Sequence, residues 1–153
     1  MVELYVMDTR CFSDKELFAE VYRWLSQYRR KKIDSCVYEK DKFLSMGVGY
    51  MLEVGMRKLD MPMQYGHIDC GRYGKPKLKT NDNVRVFNFN LSHSGVYAVC
   101  AFSSTEIGVD IQIMSQKVSD KALRVACSPN EYKRLCELNE EQRRNEFYRL
   151  WTV

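Results

Sequence analysis

The sequence predicts an α+β fold, because strand-like alternation and helix-like spacing of apolar residues occupy separate stretches of one 153-residue chain. Alternation is clearest at residues 2–7 and 107–113, where every second residue is apolar. Helical spacing is clearest at residues 13–30, 41–54 and 139–151. The length suits one domain or two small lobes, and an apolar content of 45% is typical of a protein with a real core.

Composition excludes several classes of protein. No apolar run approaches the length of a membrane span, and the N-terminus lacks the basic and apolar regions of a signal peptide, so we expect a soluble, cytoplasmic protein. Two histidines and six scattered cysteines argue against a zinc site and favour reduced thiols. The formal charge is +4, and basic residues gather at residues 29–32 and 72–79.

The first elements are a strand and two helices. The alternation at residues 2–7 predicts the strand, and Ser13 with Glu16 has the spacing of a capping box that opens a helix to about residue 30. The cations at residues 29–32 then complement the helix dipole or form a solvated face. A second helix is predicted from near Asp41, followed by a loop with short strands from Leu59 to Asn83.

The stretch from Phe87 to Gln112 holds three short apolar segments separated by glycines, with polar residues at alternate positions. Strand geometry would turn these polar side chains to one face. Asp110 and Gln112 there offer two oxygen ligands for a hard cation such as magnesium, or simply solvate an exposed strand. Ser92 and His93 would lie near the carboxylate if the strands pair.

The C-terminal part is predicted to be helical. Ser119 caps a short helix to about residue 126, and Ser128 with Glu131 forms a capping box, which explains Glu131 structurally. Asn139 starts the last helix. We expect its apolar residues to face the core and its arginines to face water; the former are Phe147, Leu150 and Trp151, and the latter are Arg143, Arg144 and Arg149.

Four motifs carry a family resemblance: Asn-Leu-Ser-His-Ser-Gly at residues 90–95, Ile-Gly-Val-Asp-Ile at 107–111, Gly-Lys-Pro at 74–76 and Phe-Tyr-Arg-Leu-Trp-Thr at 147–152. In this order and spacing the chain resembles the 4′-phosphopantetheinyl transferases of the long, single-chain type. The resemblance extends from residue 29 to the end.

The resemblance implies a magnesium-dependent transfer of the phosphopantetheine arm of coenzyme A to a serine of an acyl or peptidyl carrier protein. It also implies a pseudo-dimeric fold of two similar α+β lobes with the active site between them. We place the first lobe at residues 1–104 and the second at residues 105–153. The family's Lys-Glu-Ser/Ala segment does not follow Trp151, so we expect an incomplete second lobe and impaired transfer.

The resemblance also assigns roles to individual residues. Asp110 is the expected metal ligand and part of the catalytic site. Gln112 stands where many relatives carry glutamate and would be a weaker, neutral ligand, and Glu131 is a candidate general base or metal-associated acid. Lys42 could replace an arginine that the family carries at the position of Leu44. Arg29 and Lys32 are the expected ligands of the 3′-phosphate of coenzyme A. The other expected coenzyme A ligands are Lys42, Lys75, Pro76, Ser92 and His93.

Other functions remain open on the sequence. One is a non-enzymatic chain that binds coenzyme A or a carrier protein and self-associates as a homodimer through its exposed C-terminal end. Nucleic-acid binding is disfavoured, because the basic cluster is short and lacks a recognised module. A serine hydrolase is disfavoured, because no Gly-x-Ser-x-Gly elbow is present. The transferase hypothesis requires Lys75, His93 and Asp110 to converge on one diphosphate-sized pocket.

Overall fold

The structure is a computed structural model that describes residues 2–59, 67–70, 76–79 and 88–152, with only the backbone of 67–70 and 76–79. It confirms the α+β class. The strands are β1 (Val2–Asp8), β2 (His67–Cys70), β3 (Pro76–Lys79), β4 (Asn88–Ser94) and β5 (Tyr97–Ser103). The helices are α1 (Lys15–Trp24), α2 (Gln27–Asp34), α3 (Glu39–Lys58), α4 (Asp120–Ala126), α5 (Pro129–Cys136) and α6 (Glu140–Trp151).

The chain forms two compact units, Met1–Ile111 and Gln112–Val153. The division falls after the Ile-Gly-Val-Asp-Ile motif, seven residues later than the lobe boundary that we placed after residue 104. The predicted pair of similar lobes stays a prediction. No helix in the described part of the chain combines the length and apolar character needed to cross a membrane.

A three-stranded antiparallel sheet with the order β1-β5-β4 organises the first unit. β4 and β5 form a hairpin in which Ser94 pairs with Tyr97, and Gly95 takes a positive φ of 62° in the turn. One sheet face packs against α3 through a core that includes Met51, Leu52 and Phe102. The glycine predicted to punctuate this stretch therefore makes a tight hairpin turn.

β1 has the predicted strand conformation, and the structure shows which of its faces is buried. Tyr5 and Met7 pack against the core on the α3 side. Val2, Leu4 and Val6 lie on the other face and are 65%, 58% and 60% exposed. Alternation alone could not choose between the two faces, because both carry large apolar side chains.

The helix predicted from Ser13 to about residue 30 is two helices. Asp14, not Ser13, caps α1 by accepting hydrogen bonds from the first-turn amides. The chain breaks at Ser26, whose hydroxyl caps α2 and whose own N–H donates to Glu53 Oε1 at 2.7 Å. Because Glu53 lies on α3, this break depends on a tertiary contact.

The second unit contains α4, α5 and α6 around Leu123, Leu135 and Phe147. The caps predicted at Ser119, Ser128 and Asn139 are all present. The predicted faces of α6 are partly wrong, since Trp151 is 49% exposed and the Arg143 guanidinium donates to the carbonyls of Leu135, Cys136 and Leu138. Arg143 closes the end of α5, which a helical wheel of α6 cannot reveal.

Candidate functional site

The segment that carries Asp110 runs beside β4 but is not a strand. Residues 106–115 have no regular secondary structure, so the strand predicted at 107–113 is wrong. Side chains of β4 replace a backbone ladder: Val109 N–H donates to Asn90 Oδ1 at 2.8 Å, and Ile111 N–H donates to Ser92 Oγ at 3.3 Å. Burial still alternates along residues 107–111, which is the pattern that the sequence reading detected.

These contacts bring Asp110 and Ser92 together. Ser92 Oγ donates to Asp110 Oδ1 at 2.5 Å, and the Asp110 side chain is exposed. One carboxylate oxygen is thereby oriented while the carboxylate keeps its access to solvent. An oriented, accessible carboxylate suits a hard cation that also keeps water and phosphate ligands. Groups of three or more potential metal-ligating side chains are absent from the part of the chain that the structure describes.

Asn90 belongs to this arrangement, although sequence reasoning missed it. It lies two residues before Ser92 on the same face of β4. The signal was available in the alternating Asn-x-Asn-x-Ser of residues 88–92. What the pattern did not show is that these side chains accept hydrogen bonds from a neighbouring irregular segment.

His93 lies on the other face of β4. Consecutive strand residues point to opposite sides, so its imidazole shares a face with Phe89 and Leu91 and not with Ser92. The imidazole is exposed. His93 and Ser92 therefore leave β4 on opposite faces, and the convergence of His93 with Asp110 stays a prediction.

Arg29 is buried rather than solvated, with 8% of its surface exposed. Its side chain lies over Gly49 of α3, where an added Cβ would be 2.5 Å from Arg29 Cγ and 2.9 Å from Nε. Burial lowers the pKa of Arg29, and the charges of Tyr28 and Glu53 oppose this shift. No described residue accepts a hydrogen bond from its guanidinium.

Lys32 and Lys42 occupy different surroundings. Lys32 is exposed on α2, with its ammonium 5.0 Å from the centre of the Tyr28 ring. Lys42 is half-buried on α3 and lines a cleft of about 350 Å³ together with Lys15 and Phe43. Leu44, which stands where the resemblance implies an arginine, is buried in the core.

The remaining coenzyme A candidates fall in or beside the undescribed segments. Lys75 lies outside the described residues. Pro76 begins β3, of which the structure describes the backbone and its antiparallel pairing with β2. The predicted convergence of Lys75 on the site therefore stays a prediction.

Glu131 makes the capping box predicted for it. Its Oε2 accepts hydrogen bonds from the N–H and the hydroxyl of Ser128, both at 2.7 Å. These bonds hold the pKa of Glu131 below its usual range. A carboxylate with a lowered pKa is a weaker proton acceptor.

Gln112 is exposed, and its amide nitrogen donates to the carbonyl of Ile113 at 3.1 Å. This contact uses the donor side of the amide. The amide oxygen is thus the group left for a cation, and it is a neutral ligand.

Comparison with known proteins places this chain in a family. A family model described as the N-terminal region of 4′-phosphopantetheinyl transferase matches residues 13–105. This match covers more than half of the chain, which therefore belongs to the 4′-phosphopantetheinyl transferase family.

Individual relatives agree with this assignment. A 4′-phosphopantetheinyl transferase of Bacillus subtilis is 40% identical over 81 residues, or 53% of this chain and 34% of the relative. The transferase Sfp of Bacillus subtilis strain 168 is 33% identical over 81 residues, again 53% of this chain and 34% of the relative. The transferase gsp of Aneurinibacillus migulanus is 25% identical over 155 residues, which cover 100% of this chain and 62% of the relative. The chain thus spans less than two thirds of each of these relatives.

Proposed function

We propose that this chain takes part in the transfer of the 4′-phosphopantetheine arm of coenzyme A to a serine of an acyl or peptidyl carrier protein. Family membership supports the reaction class. The observation that carries the assignment to particular residues is the contact between Ser92 and Asp110, which orients an exposed carboxylate within two family motifs.

In this proposal Asp110 binds magnesium, and Gln112 adds a weaker ligand through its amide oxygen. Magnesium, when bound, would neutralise charge on the diphosphate of coenzyme A. Ser92 keeps the Asp110 carboxylate in one orientation, which lowers the cost of ordering it when a cation binds. A neutral amide attracts a cation less than a carboxylate does, so we expect weak metal binding by the protein alone.

Coenzyme A binding is proposed to use Arg29 and Lys32 at the 3′-phosphate. Arg29 is suited to this because its guanidinium is held by packing over Gly49 and needs little further ordering. Lys42, Lys75, Pro76, Ser92 and His93 are proposed to complete the site, as the resemblance implies. His93 can contribute only from the face of β4 opposite Ser92.

Glu131 is the candidate for removing the proton from the carrier serine. Its capping bonds and lowered pKa also give it a structural role. Its role as general base stays a prediction.

The experiment is a mass-spectrometric assay with coenzyme A, magnesium and an apo carrier protein, paired with calorimetry of coenzyme A binding. Asp110→Asn keeps a hydrogen-bond acceptor for Ser92 but removes the charge, so the magnesium concentration required should rise on the order of tenfold. Glu106→Gln removes an exposed carboxylate of the same segment and is the matched control. An unchanged magnesium requirement in Asp110→Asn would reject Asp110 as the metal ligand.

The same measurements separate a second candidate, a non-enzymatic chain that binds coenzyme A or a carrier protein and self-associates. The exposed apolar face of Val2, Leu4 and Val6 favours it, since such a face on an edge strand is prone to pairing. Coenzyme A binding without any transfer, together with concentration-dependent sedimentation, is the result expected of this alternative. Phosphopantetheine transfer by a chain that sediments as a monomer would exclude this alternative.

A further inference from the structure

A small cavity in the second unit lies between the loop at residues 116–118 and the first turns of α6. Its volume is about 80 Å³. The residues that line it are Gln116, Lys117, Val118, Glu140, Arg143 and Arg144. None of them belongs to the coenzyme A or metal site proposed above.

Arg144 presents a buried donor without an acceptor. Its Nε is the one buried side-chain nitrogen or oxygen atom that lacks a hydrogen-bond partner in the described part of the chain. A buried charged donor left unpaired is costly, and such groups are normally satisfied. The neighbouring Arg143 differs from Arg144, because the Arg143 guanidinium already donates hydrogen bonds to three carbonyls at the end of α5.

The loop that faces Arg144 is held in place at both ends. Ser115 N–H donates to Tyr148 Oη at 3.0 Å, and Ser115 Oγ donates to the Lys117 carbonyl at 2.7 Å. Val118 packs against the core of the second unit. Tyr148 and Arg144 are one helical turn apart on α6, so these contacts keep Lys117 beside Arg144.

Charge and size then define the ligand. The lining carries three cations, Lys117, Arg143 and Arg144, against the single carboxylate of Glu140. A volume of about 80 Å³ corresponds to about two or three water molecules, which suits one phosphate or carboxylate group and excludes a nucleoside. We propose that this cavity binds one phosphate-sized oxyanion, which accepts a hydrogen bond from the Arg144 guanidinium and pairs with Lys117.

The test titrates the full chain with inorganic phosphate, and with chloride at matched ionic strength, by calorimetry and thermal unfolding. A ligand that binds only the folded state raises Tm, so phosphate should raise it and chloride should not. O-phosphoserine as a free amino acid forms a further arm. Tighter binding of phosphoserine than of phosphate would identify a phosphomonoester as the source of the same group.

Arg144→Gln should weaken phosphate binding by about tenfold or more, because one charge-assisted hydrogen bond is lost. Lys117→Gln changes an exposed position of the loop and should also weaken phosphate binding. It replaces Arg144→Gln as the test variant if Arg144→Gln folds poorly. Lys133→Gln removes the same charge from α5 outside the cavity and should leave the affinity unchanged. Equal Tm in phosphate and chloride, or an equal loss in Lys133→Gln, would overturn the proposal.

Discussion

Replacing Gly49 by alanine tests whether packing against α3 holds the Arg29 guanidinium where an anion can use it. An alanine Cβ would lie 2.5 Å from Arg29 Cγ and 2.8 Å from Cδ. Carbon atoms in contact are about 3.5–4.0 Å apart, so the Arg29 side chain must move by about 1 Å. The substitution keeps every charge of the protein and changes only the position of this one.

The effect on stability should be small. Replacing glycine in a helix interior gains about 1 kcal/mol. Crowding a packed site costs about 1–3 kcal/mol, so the free energy of unfolding should fall by about 0–2 kcal/mol. The effect on binding should be larger, because losing one charge-assisted hydrogen bond costs about 1.5–3 kcal/mol, or about 10- to 100-fold in the Kd for coenzyme A.

Urea unfolding and calorimetry with coenzyme A measure the two quantities on the same preparations. Gly55→Ala is the matched control on α3, because its Cβ would overlap the buried ring of Phe102 and not Arg29. It should lower stability as much or more and leave the Kd of the folded protein unchanged. An unchanged Kd in Gly49→Ala, or an equal loss of affinity in Gly55→Ala, would refute the reasoning.

Two further predictions concern hydrogen bonds of the site. Ser92→Ala removes the donor to Asp110 and the acceptor for Ile111 N–H, so the free energy of unfolding in urea should fall by about 1 kcal/mol; an unchanged value would contradict this. Because Ser128 lowers the pKa of Glu131, stabilisation by this carboxylate is complete above about pH 4.5 and is lost as the pH falls through the lower folded-state pKa. Glu131→Gln keeps a capping side chain that cannot titrate, so its Tm difference from the wild type should shrink as the pH is lowered from about 6 to about 3. A constant difference would contradict the assignment of the shift to Glu131.

Local features of the fold were predictable, because the interactions that create them span few residues. The capping box of Ser128 and Glu131 closes within four residues, and the turn at Gly95 needs only its positive φ. The break between α1 and α2 was missed for the opposite reason. It depends on the bond from Ser26 to Glu53, which joins residues 27 positions apart.

Part of the candidate site was likewise predictable from the sequence, and part of it was not. The sequence identified Ser92 and Asp110 as neighbours, and the structure joins them across 18 residues through one hydrogen bond. From the alternating pattern we predicted that Asp110 lies in a strand, which is wrong. Alternating burial also arises where the side chains of β4, rather than its backbone, bind a neighbouring segment. The family resemblance grouped His93 with Ser92, although consecutive residues of a strand point to opposite faces.

The α+β class, the helix caps of the second unit and the family could all be predicted from the residues alone, since each rests on short-range chemistry or on ordered motifs. Three features became visible only in the folded chain: Arg29 is buried over Gly49, the apolar row of β1 faces outward, and Arg144 holds an unpaired donor beside a cavity. Burial and hydrogen-bond satisfaction are properties of what surrounds a side chain, and those surroundings come from distant parts of the chain.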